Sequence, residues 1–363
     1  MKTVLISGAG IAGPALALRL HHHGFTPTIV ERARTLRPGG QAVDIRGVAL
    51  DVMARLGLLE EARAVRTRMR GMSVLASDGT ETHRTEEATY SSGRLDNGDI
   101  ELLREDLVRM LYDRTRTDVE HLFGDTITRL TDRGDGVHVE FAHAAPRTFD
   151  LVVGADGLHS TVRRLAFGPE HRYAHHLGSH LAVFGTGNFL DLDDWQVWLR
   201  DGDKGFGIMP VRDNTELRVA FGFESVPEGH TDLREEVVKH LTTLSWHGPR
   251  LARLAAEAPD FYCDAMAQIR MPSWSHGRVT LLGDAAHCPS PLSGQGTSLA
   301  LAGAYVLAES LAEHPGHTEA FAHYESRMRP FVALNQALAT ENPGGPAAEE
   351  SVDRAKNALA LDG

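Results

Sequence analysis

The feature that most constrains this chain is a set of three glycines, Gly8, Gly10 and Gly13, set between an apolar run at Thr3–Ser7 and a helical pattern over Ile11–His23. A second apolar run, Thr28–Glu31, follows at once. Strand, glycine turn, helix and strand form a βαβ unit, and such a unit builds a parallel sheet flanked by helices, so the fold class is α/β. In this setting the first glycine permits a tight turn, the second admits a pyrophosphate to the backbone, and the third lets helix and sheet pack closely. Ile11 and Ala12 carry the turn into a helix whose N-terminus faces the phosphates. Glu31, at the end of the second strand, is placed to accept hydrogen bonds from both hydroxyls of an adenosine ribose and to repel a 2′-phosphate. With Arg32 beside it, the site suits FAD or NAD.

The chain has 363 residues, enough for about two domains. Its formal charge of −12 disfavours nucleic acid and anionic membranes as partners. No run of about twenty apolar residues is present. The two cysteines, Cys263 and Cys288, stand far apart and read as free thiols of a reducing, cytoplasmic setting. Further along, Val48–Leu56 and Glu105–Arg116 read as helices, and Asp78-Gly79 as a hairpin turn. Extended runs from Leu181 to Glu224 suggest a second sheet. Arg278–Leu282 reads as a strand, Thr297–Ala312, Glu319–Met328 and Phe331–Thr340 as helices, and the tail from Pro343 as loosely held. Nucleotide-type elements at both ends imply a discontinuous domain with the second sheet inserted in it.

An NAD dehydrogenase fits the first segment equally well; two later segments decide. Val152-Val153-Gly154-Ala155-Asp156-Gly157 leads to Ser160 and Arg163, and Leu281-Leu282-Gly283-Asp284-Ala285-Ala286-His287 leads to Pro289, Pro291 and Gly294-Gln295-Gly296. Asp284 offers a carboxylate to a polyol chain, and the helix opening at Gly296 and Thr297 offers positive potential to a flavin ring. Together with the glycine turn, these segments resemble the class A flavoprotein monooxygenases, the family of para-hydroxybenzoate hydroxylase, over residues 1 to 340. The stretch Gly39 to Gly47 is similar to the flavin-edge loop of the tetracycline-inactivating members.

The resemblance implies a Rossmann-like FAD-binding domain of the GR2 type made of residues 1–70, 95–170 and 271–315. It further implies a mixed β-sheet substrate domain of residues 71–94 and 171–270, C-terminal helices at 316–340 and a tail at 341–363. Asp284 then holds the ribityl chain with Gly283, the Gly294–Gly296 backbone lies beneath the isoalloxazine, and Arg104 holds the phosphates. Asp44 contacts FAD, and Arg37 lies near the nicotinamide cofactor. Asp156 is either a cofactor contact or the cap of the helix after Ser160, and Arg46 is either a phosphate contact or a surface arginine. Ser298 and Gly303 stand where many members carry Asn and an acidic residue.

The implied activity is oxygenation of an aromatic or polycyclic small molecule, most directly hydroxylation, using NAD(P)H and O₂ through a flavin hydroperoxide. The alternatives are an FAD oxidase or dehydrogenase and a non-catalytic FAD-binding protein. No side chain is singled out as catalytic, because the flavin carries the oxygen transfer. Phe184, Phe206, Met209, Phe221 and Pro291 are candidate pocket residues, Trp195 and Trp198 pocket or core aromatics, and His287 a structural histidine. The histidines at 21–23 and at 171–180 lack carboxylate or thiolate partners at ligand spacing, so no metal is expected there. The chain is expected to act as a monomer or homodimer.

Overall fold

The computed structural model describes residues 2–202, 204–224, 232–342 and 345–362. The βαβ unit consists of strand Thr3–Ser7, helix Ala12–His22 and strand Thr26–Glu31. Its first strand lies inside a six-stranded sheet, in spatial order 275–276, 279–281, 151–154, 3–7, 26–31 and 120–123. All neighbours run parallel except at the 275–276 edge. Val4, Leu5 and Ile6 are fully buried, as a parallel strand covered on both faces requires. Helix Ala12–His22 packs against both Arg104–Thr115 and Gly296–Glu313, so the two ends of the chain close over one core. A three-stranded antiparallel sheet over 127–149 adds Ile127, Val137, Val139 and Phe149 to that core.

The second sheet has seven strands, in order 262–269, 174–187, 216–224, 204–211, 195–201, 71–75 and 81–85. It is antiparallel except where 195–201 meets 71–75. One face carries Phe184, Val219, Phe221 and Phe223, which pack against Val237 and Leu241 of helix Leu233–Thr242 and against Leu251 and Ala255 of helix Gly248–Glu257. Alternation along each strand sends the intervening residues to the opposite face. That face looks toward the first sheet.

Two expectations are corrected at the C-terminus. The helices at 319–328 and 331–340 are one helix, His317–Glu341, running through Pro330. Pro330 is exposed, so the carbonyl it leaves unpaired, at exposed Ser326, is open to water. Met328 and Phe331, both fully buried, anchor the two halves in one line. The tail is also not loose: helix Glu349–Lys356 docks on the body. Lys356 Nζ pairs with Asp99 Oδ2 at 3.0 Å, Asn335 Nδ2 donates to the Ala355 carbonyl at 3.1 Å, and Leu359 and Leu361 are buried. Pro343 and Gly344 lie outside the described residues.

Candidate active site

Between the two sheets lies a cavity of about 1950 Å³, well above the roughly 300–1,000 Å³ of a drug-sized site. The glycine turn forms part of its wall. A Cβ on Gly13 would stand 2.0 Å from the Gly8 carbonyl oxygen, and one on Gly8, at φ +108°, would stand 2.4 Å from the Ala155 carbonyl oxygen. Those two glycines are demanded by the protein's own backbone. Around a Cβ on Gly10 there is nothing within 4 Å, because that position faces the cavity. The space is available to a ligand that must touch the backbone. Glu31 accepts hydrogen bonds from Ala9 N–H at 2.9 Å and from Ala33 N–H at 2.8 Å, which fixes its carboxylate at the cavity edge.

Beside the start of the glycine helix, Gly283 closes the turn after strand Val279–Leu281 with φ +63°, and a Cβ there would come within 3.2 Å of Ala12 Cβ. The next residue, Asp284, thus lines the cavity close to the start of the glycine helix. Burial pushes the Asp284 carboxyl up, with a Cys288 hydrogen bond and the Arg104 charge opposing the shift. Helix Gly296–Glu313 opens into the same space with no acidic residue in its first turn and no side-chain cap, so its N–H groups and positive potential remain available.

Several buried polar atoms lining this cavity find no partner within the protein: Arg104 Nη1, Asp44 Oδ1, Arg46 Nε and both amide atoms of Gln295. Leaving such a group unpaired costs about 1–3 kcal/mol. Their gathering in one cavity, with an arginine, carboxylates and an uncapped helix N-terminus, fits a large anionic cofactor with polar arms such as FAD. Burial, then the Arg37 charge, holds the Arg104 guanidinium below its usual range, so an anion beside it is electrostatically welcome.

Asp156 and Arg46 both sit at the cavity wall. Asp156 caps the helix after Ser160, accepting from the Ser160 hydroxyl, from Thr161 N–H at 2.8 Å and from Val162 N–H at 3.1 Å, and it borders the cavity as well. Arg46 is not a surface arginine. It is 7 % exposed and donates to Asp44 Oδ2 at 2.9 Å and to the Ser91 carbonyl at 3.1 Å, beside Gly294. Its backbone N–H donates to Ser298 Oγ at 3.0 Å, so Ser298 ties the Gly39–Gly47 stretch to helix Gly296–Glu313. Gly303 serves packing, since a Cβ there would meet Leu282 Cδ1 at 2.9 Å. Burial, opposed by Arg46 and reinforced by Glu101, pushes Asp44 up to about 7. Arg37 stacks over the Tyr262 ring at 4.5 Å, and Arg32 and Thr297 also line the cavity. His287 is structural: burial drives it down to about 3, against Tyr324 and Trp274.

The pocket aromatics need correction. Phe184 and Phe221 are fully buried on the helix-covered face of the second sheet. Phe206 belongs to the strand that borders the cavity, but its ring is 1 % exposed and stacks on Trp246. Strand period places Phe184 and Phe221 one residue out of phase with the cavity face, while Phe206 stays in the cavity wall. Met209 and Pro291 do line the cavity. The facing residues are small, with Gly205 paired to Gly222 and Gly207 to Ala220. Trp198, cross-strand from Gly207, borders this floor, with Tyr90 edge-on to it at 5.4 Å. The indole N–H of Trp198 donates to Gln196 Oε1 at 3.0 Å, and Gln196 Nε2 donates to Ser91 Oγ at 2.6 Å. Through Ser91 this chain reaches Arg46. The alternation Gly205-Phe206-Gly207 and Ala220-Phe221-Gly222 carries the signal for such a floor.

Comparison with known proteins agrees with this geometry. The FAD binding domain family matches residues 1–338. A flavin-dependent monooxygenase from an unknown prokaryotic organism is 38% identical over 343 residues, covering 93% of this chain and 88% of its own. The chain is a class A flavoprotein monooxygenase. The crystal structure of tetracycline destructase Tet(55) superposes on the monooxygenase with a TM-score of 0.89 at 34% identity, covering 100% of this chain and 99% of that one. An uncharacterized Mycobacterium tuberculosis protein is 48% identical to the monooxygenase over 370 residues, 99% of each chain. FAD is its cofactor, with NAD(P)H the co-substrate typical of the family. No helix among the described residues is long and apolar enough to cross a membrane.

Proposed function

We propose that the monooxygenase hydroxylates a planar, polycyclic aromatic compound lying between FAD and the small-residue face of the second sheet. The observation that carries this reading is the floor of Gly205, Ala220 and Gly222, continued by the Trp198 indole lying flat across Gly207, which presents small residues and one aromatic face to the cavity. Aromatic rings favour such a flat, apolar seat beside an indole. The name of Tet(55), a tetracycline destructase, supports a polycyclic substrate.

FAD, when bound, accepts reducing equivalents from NAD(P)H and activates O₂. The chain's part is to hold and position. Residues 1–70, 95–170 and 271–315 would form the FAD-binding unit, with 71–94 and 171–270 covering the substrate. The backbone at Gly8–Gly13 would receive the pyrophosphate, Glu31 the adenosine ribose, Arg104 the phosphates and Asp284 the ribityl hydroxyls. Asp44, Arg46 and the Gly294–Gly296 turn would border the ring, and Arg37, stacked on Tyr262, would meet NAD(P)H phosphates. With FAD and substrate filling the cavity, its walls would limit water at the reacting centre, and no side-chain nucleophile is required.

The test is a panel of planar phenols of one to four rings, scored by the increase in NAD(P)H oxidation and by hydroxylated product. Multi-ring compounds should stimulate oxidation and be oxygenated. Oxidation stimulated only by single-ring compounds, or stimulated without product, would count against the reading.

A further inference from the structure

Helix Gly296–Glu313 carries the flavin end of the cavity at its N-terminus, and its C-terminus carries a second group of polar side chains. Glu313, His314 and His323 each place a ligand atom within 4.8 Å of the other two. His323 belongs to the next helix, so the group spans the turn between the two longest helices.

Ser310 sets the orientation of both imidazoles. Its hydroxyl proton is committed to the Val306 carbonyl at 2.7 Å, so Oγ acts as acceptor toward His323 Nδ1 at 3.0 Å. The Ser310 carbonyl, which can only accept, receives His314 Nδ1–H at 3.0 Å. Ser310 is fully buried, which keeps water from competing for these bonds. Both rings therefore carry their proton on Nδ1 and present an Nε2 lone pair. That is how second-sphere groups prepare histidines to bind a metal. The helix C-terminus adds negative potential from its last carbonyls.

We propose that Glu313, His314 and His323 form a binding site for a borderline divalent cation of the zinc class, pinning the C-terminus of helix Gly296–Glu313 to helix His317–Glu341. Two imidazoles and one carboxylate match zinc better than magnesium or calcium, which prefer oxygen ligands. Exposed Glu313 closes the remaining distance by rotating its flexible chain.

The experiment is equilibrium dialysis of the FAD-loaded protein against ZnCl₂ near neutral pH, with metal content measured and melting followed in parallel. Wild type should hold one more tightly bound zinc than His314→Ala or His323→Ala, with FAD content equal in all three. His138→Ala, on another sheet, should match wild type. Zinc should raise the melting temperature of wild type and His138→Ala only. Ser310→Ala, which keeps all three ligands but releases His323 Nδ1, should weaken zinc binding about 10- to 100-fold. Equal zinc stoichiometry and affinity in wild type, His314→Ala and His323→Ala would overturn the proposal, whatever the enzyme's substrate proves to be.

Discussion

The indole of Trp198 covers Gly207 so closely that a Cβ on the glycine would lie 2.6 Å from two of its ring carbons. Trp198 is itself held by Gln196, and Gln196 by Ser91. Gly207→Ala should therefore displace the indole and roughen the floor without touching the nucleotide site. FAD content should stay at the wild-type level while kcat/KM for a polycyclic substrate falls about 10-fold, or about 1.4 kcal/mol. Absorbance ratios and steady-state kinetics measure the two quantities separately.

Arg104 and Asp284 face the cavity from opposite ends of the sequence, and Arg37 stacks on Tyr262, near enough for its charge to act on Arg104. If the first two hold FAD, Arg104→Ala and Asp284→Ala should each weaken FAD binding by about 1–3 kcal/mol. Arg37→Ala should leave FAD in place and raise the KM for NAD(P)H. Full FAD occupancy in the Asp284 variant would mean that the ribityl chain is held elsewhere.

His159, just after Gly157, joins Glu170 through Nδ1 at 2.9 Å and Asp264 of the second sheet through Nε2 at 3.0 Å. The Asp264 bond, opposed by burial and aided by Glu170, raises His159 from 6.5 to about 9. A histidine raised on folding contributes its stability fully below its unfolded value and loses it as pH climbs through the folded one. His159→Gln should thus lower the melting temperature most between about pH 5 and 6.5, and the difference should vanish above about pH 9. A difference that does not change with pH would show that the bridge contributes packing alone.

Lys356 and Asp99 are a largely buried pair, 12% and 9% exposed, that fastens the C-terminal helix beside the flavin-edge loop. Asp99 also accepts from Gly47 N–H at 3.2 Å. Removing the lysine strands the carboxylate, so Lys356→Ala should cost about 3 kcal/mol in urea unfolding. Asp353, a second and more exposed partner of the lysine, is not expected to matter: Asp353→Ala should cost under about 1 kcal/mol.

The glycine turn and the Gly283-Asp284 turn were legible because their motifs are local. Gly8 and Gly13 are required by contacts within a few ångströms of one turn, and Asp284 follows directly from the end of a strand. The cavity face of the second sheet was less legible because it depends on phase: whether the Phe206 ring or Gly207 faces the cavity is decided by which side of the sheet helices 233–242 and 248–257 cover. The aromatic residues drew attention as pocket candidates, whereas it is the glycines between them that make the space. The tail misled for a related reason. Its anchors, Ala355, Lys356, Leu359 and Leu361, are few, and Asn335 and Asp99, the partners of Ala355 and Lys356, lie elsewhere in the chain.

The central claim is that this protein places one oxygen atom from O₂ into an aromatic ring. The most direct measurement is the mass of the product formed when FAD-loaded protein, NAD(P)H and a polycyclic phenol react under isotopically heavy O₂. The account predicts a product carrying one heavy oxygen atom, with NAD(P)H consumed in at least equal amount. NAD(P)H consumption that yields only hydrogen peroxide with every multi-ring phenol, or a product whose oxygen comes from water, would contradict it.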